Sequence, residues 1–347
     1  MLRRPRFDES GGAWRLVLAS VCLCFLASWK ESRSTKILCE DHCSAYQHSD
    51  SLPDRAPQGV IRLAVGGDSR NDKSHVVPWA FQEAKRRGAK AFFFLGDLEL
   101  TSALDRGFLP QLADLGDIPF YPVIGNHEVE AFGIVRLPKW ESERKVREFK
   151  KEFHLARSAE VKLASGQRFL DTVVYSVDLE GGIHLVALDN VSRKGEGFGP
   201  DQLAWLARDL KAAHDANKII LVGMHKGLAN NPVTSHAMDE DGQQAISDSD
   251  RALQLFAEYQ VAMIFVSHSH MHAAYTQRGI PVRLTGGMGA PLVKDLAEAD
   301  GGFHHFLLVD VAPSAGTPQA HVEVVKFPCT PPCEPSRSET DESQEIE

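Results

Sequence analysis

Seven side chains able to hold a metal ion, Asp68, Asp97, Asn126, His127, His225, His268 and His270, lie far apart in the chain, each just after an apolar run of strand length. Asp68 follows Val60–Val65 through Gly66-Gly67, Asp97 follows Ala91–Leu95 through Gly96, and Asn126-His127 follow Ile118–Ile124 through Gly125. His225 follows Lys218–Met224, and His268 and His270 follow Val261–Val266. In open α/β sheets the carboxyl ends of the strands share one edge, where ligand crevices form. Five strands then deliver two carboxylates, one amide and four imidazoles to one region. Oxygens and imidazole nitrogens without a thiolate suit Zn, Mn or Fe rather than a soft metal. Two carboxylates with three or more imidazoles exceed the needs of one tetrahedral ion, so two ions are the economical reading. Two cations about 3.5–4 Å apart can stabilise both the attacking and the leaving oxygen of a phosphoryl displacement.

Each residue alone has a plainer reading. A single Asp after a strand is more often a turn or cap residue. A single His is more often hydrogen bonded or packed; His42, His48, His154, His214, His304 and His305 are read that way, and His184, inside a strand, as packing. In Ser267-His268-Ser269-His270-Met271-His272, alternation along a strand would turn three imidazoles to one side.

The elements that must position these residues run from Val60 to Phe327. The apolar runs named above read as strands, and Ala91–Leu95, apolar throughout, as one buried on both faces. Helices are expected over His75–Arg87, Lys139–Phe153, a segment starting near Asp201 after Gly199-Pro200, and Asp248–Tyr259. Val173–Val177 and Ile183–Leu188 read as a hairpin pair, and four more strands are expected around Ala274, Val282, Phe306 and Val322. Strands alternating with helices, then mostly strands, indicate a layered α/β domain with a mixed sheet.

Charged residues at 24% and hydrophobic residues at 43% exclude a disordered chain and a polytopic membrane protein. A net charge of −9 lacks the basic footprint of a duplex nucleic-acid binder. Arg3, Arg4 and Arg6 precede an apolar run, Leu16–Trp29, whose fourteen residues match a signal h-region better than a membrane span of about 20. Residues 1–30 are therefore expected to be a signal peptide or, if uncleaved, an N-terminal anchor, with an exported protein in either case: periplasmic, extracellular or cell-surface. A membrane is a partner only for the uncleaved form. Cys22 and Cys24 lie in this leader, whereas Cys39/Cys43 and Cys329/Cys333 suggest disulfides whose connectivity stays open. The expected organisation is a leader 1–30, a linker 31–59 with one Cys pair, a catalytic domain 60–327, and a segment 328–347 with the second Cys pair and an acidic, disordered tail.

The ordered set Gly67-Asp68, Gly96-Asp97, Gly125-Asn126-His127-Glu128, His225 and His268-Ser269-His270 resembles the calcineurin-like metallophosphoesterases, including the purple acid phosphatase branch. Leu188-Asp189-Asn190, Asp201–Leu206 and the run Thr285–Pro291 are similar too, so the likeness spans roughly Val60 to Val311. It implies a four-layer α/β/β/α sandwich with mixed sheets and a dinuclear centre at the sheet edge. It implies Asp97 as the bridging carboxylate, Asn126, His225 and His268 on one metal, Asp68 and His270 on the other, and His127 beside the leaving group. The activity implied is hydrolysis of phosphomonoesters or phosphodiesters, on small molecules or macromolecules, by a metal-bound hydroxide.

Three positions depart from the family pattern: Arg70 stands where a His is usual, Leu100 where the purple branch has Tyr, and Ser267 where a Gly is usual. The first metal then lacks one protein ligand, a place open to water, Asn71 or Ser69. Arg70 cannot ligate, but its guanidinium suits either a substrate phosphate or a structural ion pair. Two rival functions stand beside the phosphoesterase. Gly67-Asp68-Ser69 also resembles the nucleophile motif of GDS-type serine esterases, and a chain whose first metal site has decayed would be a non-catalytic binding protein.

Overall fold

The computed structural model describes residues 49–328 except 71, 73, 99–107, 130–138, 154–172, 193–196 and 313–318, all within the unit Ile37–Glu347. The expected leader and anchor, all six cysteines, Asn71, Leu100 and the acidic tail lie outside the described residues. In chain order the first strands are β1 (Ile61–Gly66), β2 (Ala91–Phe94), β3 (Phe120–Pro122), β4 (Tyr175–Leu179), β5 (Ile183–Ala187) and β6 (Ile219–Gly223). They are followed by β7 (Met263–Val266), β8 (His272–Gln277), β9 (Ile280–Thr285), β10 (His305–Ala312) and β11 (Gln319–Lys326). The described helices are α1 (Val76–Arg86), α2 (Phe108–Leu115), α3 (Lys139–Phe153), α4 (Gly199–Asp215) and α5 (Gln243–Glu258).

The strands form two sheets rather than one, in the orders β11-β10-β1-β2-β3 and β4-β5-β6-β7-β9-β8. Both are mixed. β1, β2 and β3 run parallel, with β10 antiparallel to β1 and β11 antiparallel to β10; β5, β6, β7 and β9 run parallel, with β4 and β8 antiparallel at the edges.

Side chains alternate across each strand, and this sorts the apolar residues into separate cores. Leu63, Val65, Ala91 and Phe93 from one sheet meet Leu185, Ala187, Leu221 and Phe265 from the other. The alternate residues Ala64, Phe92 and Phe94 face outward, against Val77, Phe81 and Ala84 of α1, Phe108 of α2 and Phe149 of α3. On the far side Val186, Val222, Ile264 and Val266 pack under Trp205, Leu206 and Leu210 of α4 and Leu253 and Phe256 of α5. Residues buried on both faces explain the unbroken apolar runs of the sequence. The result is the four-layer α/β/β/α sandwich. Among the described residues no helix is long and apolar enough to cross a membrane.

Two helices differ from expectation. α5 begins at Gln243, five residues before the expected Asp248, because Gly242, at φ 93, turns the chain into it. Asp248 is then free for another task, accepting the Gly199 N–H at the start of α4 at 2.7 Å. The short helix α2, with Phe108 and Leu115 on its buried side, was not expected.

His184 is not simply packing. It is wholly buried in β5, with Nδ1 2.8 Å from Asp178 on β4 and Nε2 2.9 Å from Asp209 on α4. Lys218 closes the chain of charges on Asp178 at 2.6 Å. Burial pushes the imidazole down, but the two carboxylates outweigh it and raise its pKa above the ordinary 6.5. A group whose pKa is raised on folding stabilises the protein fully below its unfolded value and loses that contribution as pH rises through the folded value. Urea denaturation is therefore expected to show stability falling as pH rises above about 6.5, with a flatter slope in His184→Gln; identical slopes would contradict the clamp.

Candidate metal centre

The site forms where the carboxyl ends of β1, β2 and β3 in one sheet face those of β6 and β7 in the other. Within each sheet the backbone ties neighbouring strand ends together: Asp68 N donates to Gly96 O at 3.0 Å and Ser69 and Arg70 N to Asp97 O at 2.9 Å in the first, and Ser267 N to His225 O at 2.8 Å in the second. His225 reaches across between the sheets, Nδ1 lying 2.7 Å from Leu95 O. Asp68, Asp97 and His268 have φ of 61°, 54° and 70°. Such left-handed backbone is unfavourable for these residues and concentrates at functional sites. Gly96, at φ 91°, has no room for a side chain, since a Cβ would lie 2.7 Å from Gly125 N and 2.8 Å from His225 Nδ1.

All eight residues singled out from the sequence, Asp68, Arg70, Asp97, Asn126, His127, His225, His268 and His270, are buried. Among the described residues three groups of potential ligand atoms have members within 4.8 Å of one another: two that share Asp97, namely Asp97, His225 and His268, and Asp68, Asp97 and His270, and a third of His236, Glu240 and His268. Asp97 belongs to both of the first two. Asn126 Oδ1 joins the first group, 2.8 Å from His225 Nε2. His127 stands beside the shared carboxylate, its N–H donating to Asp97 Oδ1 at 3.0 Å and its Nε2 3.6 Å from Oδ2.

The donor spacing fits first-row cations. Two ligands held at about 2.0–2.1 Å by a tetrahedral ion lie about 3.3–3.4 Å apart. His225 Nε2 is 3.3 Å from Asp97 Oδ1 and 3.2 Å from His268 Nδ1, and His270 Nε2 is 3.5 Å from Asp68 Oδ1. Asp68 Oδ1 is buried without a hydrogen-bond partner, and so is His127 Nδ1. Buried polar atoms are normally paired, so an orphaned carboxylate oxygen among imidazoles marks a ligand position. These residues fit divalent metal ions.

Electrostatics agree. Burial pushes the Asp97 carboxyl up, but His225 and His127 outweigh it and hold it well below the usual carboxylate range. Burial pushes His225 down, while Asp97, then Asp68 and the Leu95 carbonyl, carry it up to about 9. Burial, seconded by His236 and His225, holds His268 well below its ordinary value. Burial, opposed by Asp97 and helped by the Arg70 charge, takes His127 down to about 4. Positive charge beside the Asp97 carboxylate is thus favoured, as it would be from a cation there.

The expected strand alternation through 267–272 fails. β7 ends at Val266, His268 turns the backbone, and β8 starts only at His272. His272 points elsewhere, its ring 5.1 Å from that of His305 and 5.9 Å from that of Phe303. The Ser69 hydroxyl donates to Leu98 O at 2.7 Å, with Asp97 O at 3.3 Å, and meets no imidazole among the described residues, so none of these activates it as a nucleophile.

Three contributors escaped the sequence reading. The Glu128 carboxylate accepts the N–H groups of Asp97 at 2.9 Å, Leu98 at 2.9 Å and Gly125 at 2.7 Å, locking two ligand loops together. Its only signal was its place after Gly125-Asn126-His127. His236 stacks on His268 with ring centres 4.1 Å apart, and its Nδ1 lies 2.9 Å from Glu240 Oε1. Both lie between His225 and α5, outside the motifs quoted from the sequence.

Residues 61–272 match the family model of the calcineurin-like phosphoesterases. A search of curated proteins finds no match. Among solved structures the chain is similar to a dimetal phosphatase from Danio rerio, with a TM-score of 0.50 and 14% identity over 77% of this chain and 99% of that one. It is also similar to GAP50, the anchor in the inner membrane complex of Plasmodium, with a TM-score of 0.47 and 11% identity over 78% and 90% of the two chains. At such identities the likeness is one of fold.

Unpaired backbone donors cost about 1–3 kcal/mol each when buried. Glu128→Ala is therefore expected to lower the unfolding free energy by about 2–5 kcal/mol, measured by urea denaturation, with a smaller loss in Glu128→Gln, which keeps one acceptor oxygen. Equal stability of Glu128→Ala and the parent chain would contradict the role given to this carboxylate.

Proposed function

The chain belongs to the calcineurin-like phosphoesterases, metal-dependent hydrolases of phosphoester bonds, and on that premise we propose that it works with two cations flanking Asp97. The observation that carries this reading is the membership of Asp97 in both ligand groups. Asn126, His225 and His268 would complete one site with it, and Asp68 and His270 the other. Bound cations would supply Lewis acidity, lowering the pKa of a water to about 7 and offsetting charge on the phosphoryl oxygens.

The chain's own side chains then divide the remaining work. Asp97, buried and anionic, fixes the spacing of the two halves. His127, whose Nδ1 has no partner, can donate a hydrogen bond to the oxygen that leaves. Arg70, buried close enough for its charge to act on His127, adds positive charge where phosphate negative charge develops. Exclusion of water around these groups strengthens every one of these interactions.

The two sites are unequal. Among the described residues one has four protein donors, Asp97, Asn126, His225 and His268, and the other three, Asp68, Asp97 and His270. The second is the weaker. An exported location is proposed from Arg3, Arg4 and Arg6 ahead of the apolar run Leu16–Trp29, and N-terminal sequencing of secreted protein tests the first thirty residues.

The deciding experiment is hydrolysis of p-nitrophenyl phosphate and of its bis ester after chelation, and after adding back Zn, Mn or Fe. Activity is expected to vanish on thorough chelation, to return with a divalent cation, and to be absent in Asp97→Asn. Turnover that survives chelation and this substitution would overturn the proposal.

A further inference from the structure

Resting on the two-cation reading above, we propose that Ser267 is a positioning residue that aims Asp68 at the weaker cation site. Ser267 directly follows β7 and is wholly buried. Its hydroxyl donates to Asp68 Oδ2, and Thr285 O lies 3.3 Å away on its other side. The His268 N–H donates to the same carboxylate oxygen at 2.8 Å. Oδ2 thus takes two donors, whereas Oδ1 is buried with none and lies 3.5 Å from His270 Nε2. The carboxylate is divided into a held oxygen and a presented one.

The surroundings are shaped to that hydroxyl. A Cβ on Gly67 would run into Ser267 Oγ, and one on Gly286 would lie 2.8 Å from Asp68 Oδ2. Without the hydroxyl only the His268 N–H would hold Oδ2. The terminal torsion of an Asp side chain is broad and two-fold, so a single donor permits the oxygens to rock or exchange. A charge-assisted hydrogen bond from a buried hydroxyl removes that freedom. The four-donor site does not include Asp68 and has no such dependence. The three-donor site does: among the described residues it offers Asp68 and His270 besides the shared Asp97. Loss of a group that orients a metal ligand typically weakens metal affinity about 10–100-fold.

The test is titration of the metal-free full-length chain with Mn²⁺, followed by electron paramagnetic resonance and calorimetry, in the parent chain, Asp68→Asn and Ser267→Ala. Asp68→Asn identifies the equivalent that belongs to this site. Ser267→Ala is expected to weaken that equivalent about 10–100-fold, to leave the other unchanged, and to weaken the spin coupling between the two ions at matched concentration. Ser267→Cys, close in shape but a weak donor, is expected to move in the same direction by a smaller factor, and carries the test if the alanine variant does not fold. Parent-like affinity for both equivalents in either variant overturns the assignment, as does equal loss of both, which would mark a general structural role. A parent chain that binds no second equivalent overturns the two-cation reading and this inference with it.

Discussion

Two carboxylates, Asp68 and Asp97, are buried in one group whose ligand atoms lie within 4.8 Å of one another. Burying one charge in a low-dielectric interior is costly, and burying two of like sign side by side is more so unless positive charge is placed between them. Imidazoles supply part of that charge, as the raised His225 and the depressed Asp97 show. Bound cations would supply the rest. The rest of the centre answers this requirement: backbone held in left-handed conformations to bring the carboxylates inward, glycines where a Cβ would collide, and Glu128 binding three N–H groups to keep two loops in place.

The sandwich makes such a cluster possible. Parallel strands in each sheet end at the same edge, and the packing of the sheets through Phe93, Leu221 and Phe265 brings two such edges together. Asp68, Asp97 and Asn126 come from one sheet, and His225, His268 and His270 from the other. A ligand set divided in this way is rigid to the extent that the core between the sheets is rigid, which locates the stability of the centre in apolar packing far from the metal ligands.

Much of this was legible in the sequence because it is carried by local pattern. Apolar runs ending in glycine or a polar residue marked the strand ends, and ligand types at those ends marked the site. What was not legible depends on contacts between residues far apart in the chain. Ser267 meets Asp68 across 199 positions, and His225 meets Asn126 across 99. His184 looked like a core residue because its strand is apolar, although Asp178 and Asp209 reach it from a neighbouring strand and a helix. The strand pattern in 267–272 was misleading for a related reason: alternation assumes extended backbone, and His268, at φ 70°, leaves it. His236 lies in a loop and Glu240 in the short 3-10 helix Met238–Asp241, and only the folded chain brings His236 onto the face of His268.

The central claim is that Asp97 stands between two cations. Anomalous scattering at the manganese edge, from crystals of the protein grown with Mn²⁺, tests it most directly. Two peaks are expected on opposite sides of the Asp97 carboxylate, one against Asn126, His225 and His268 and the other against Asp68 and His270. A lone peak, or none within reach of Asp97, would contradict the account.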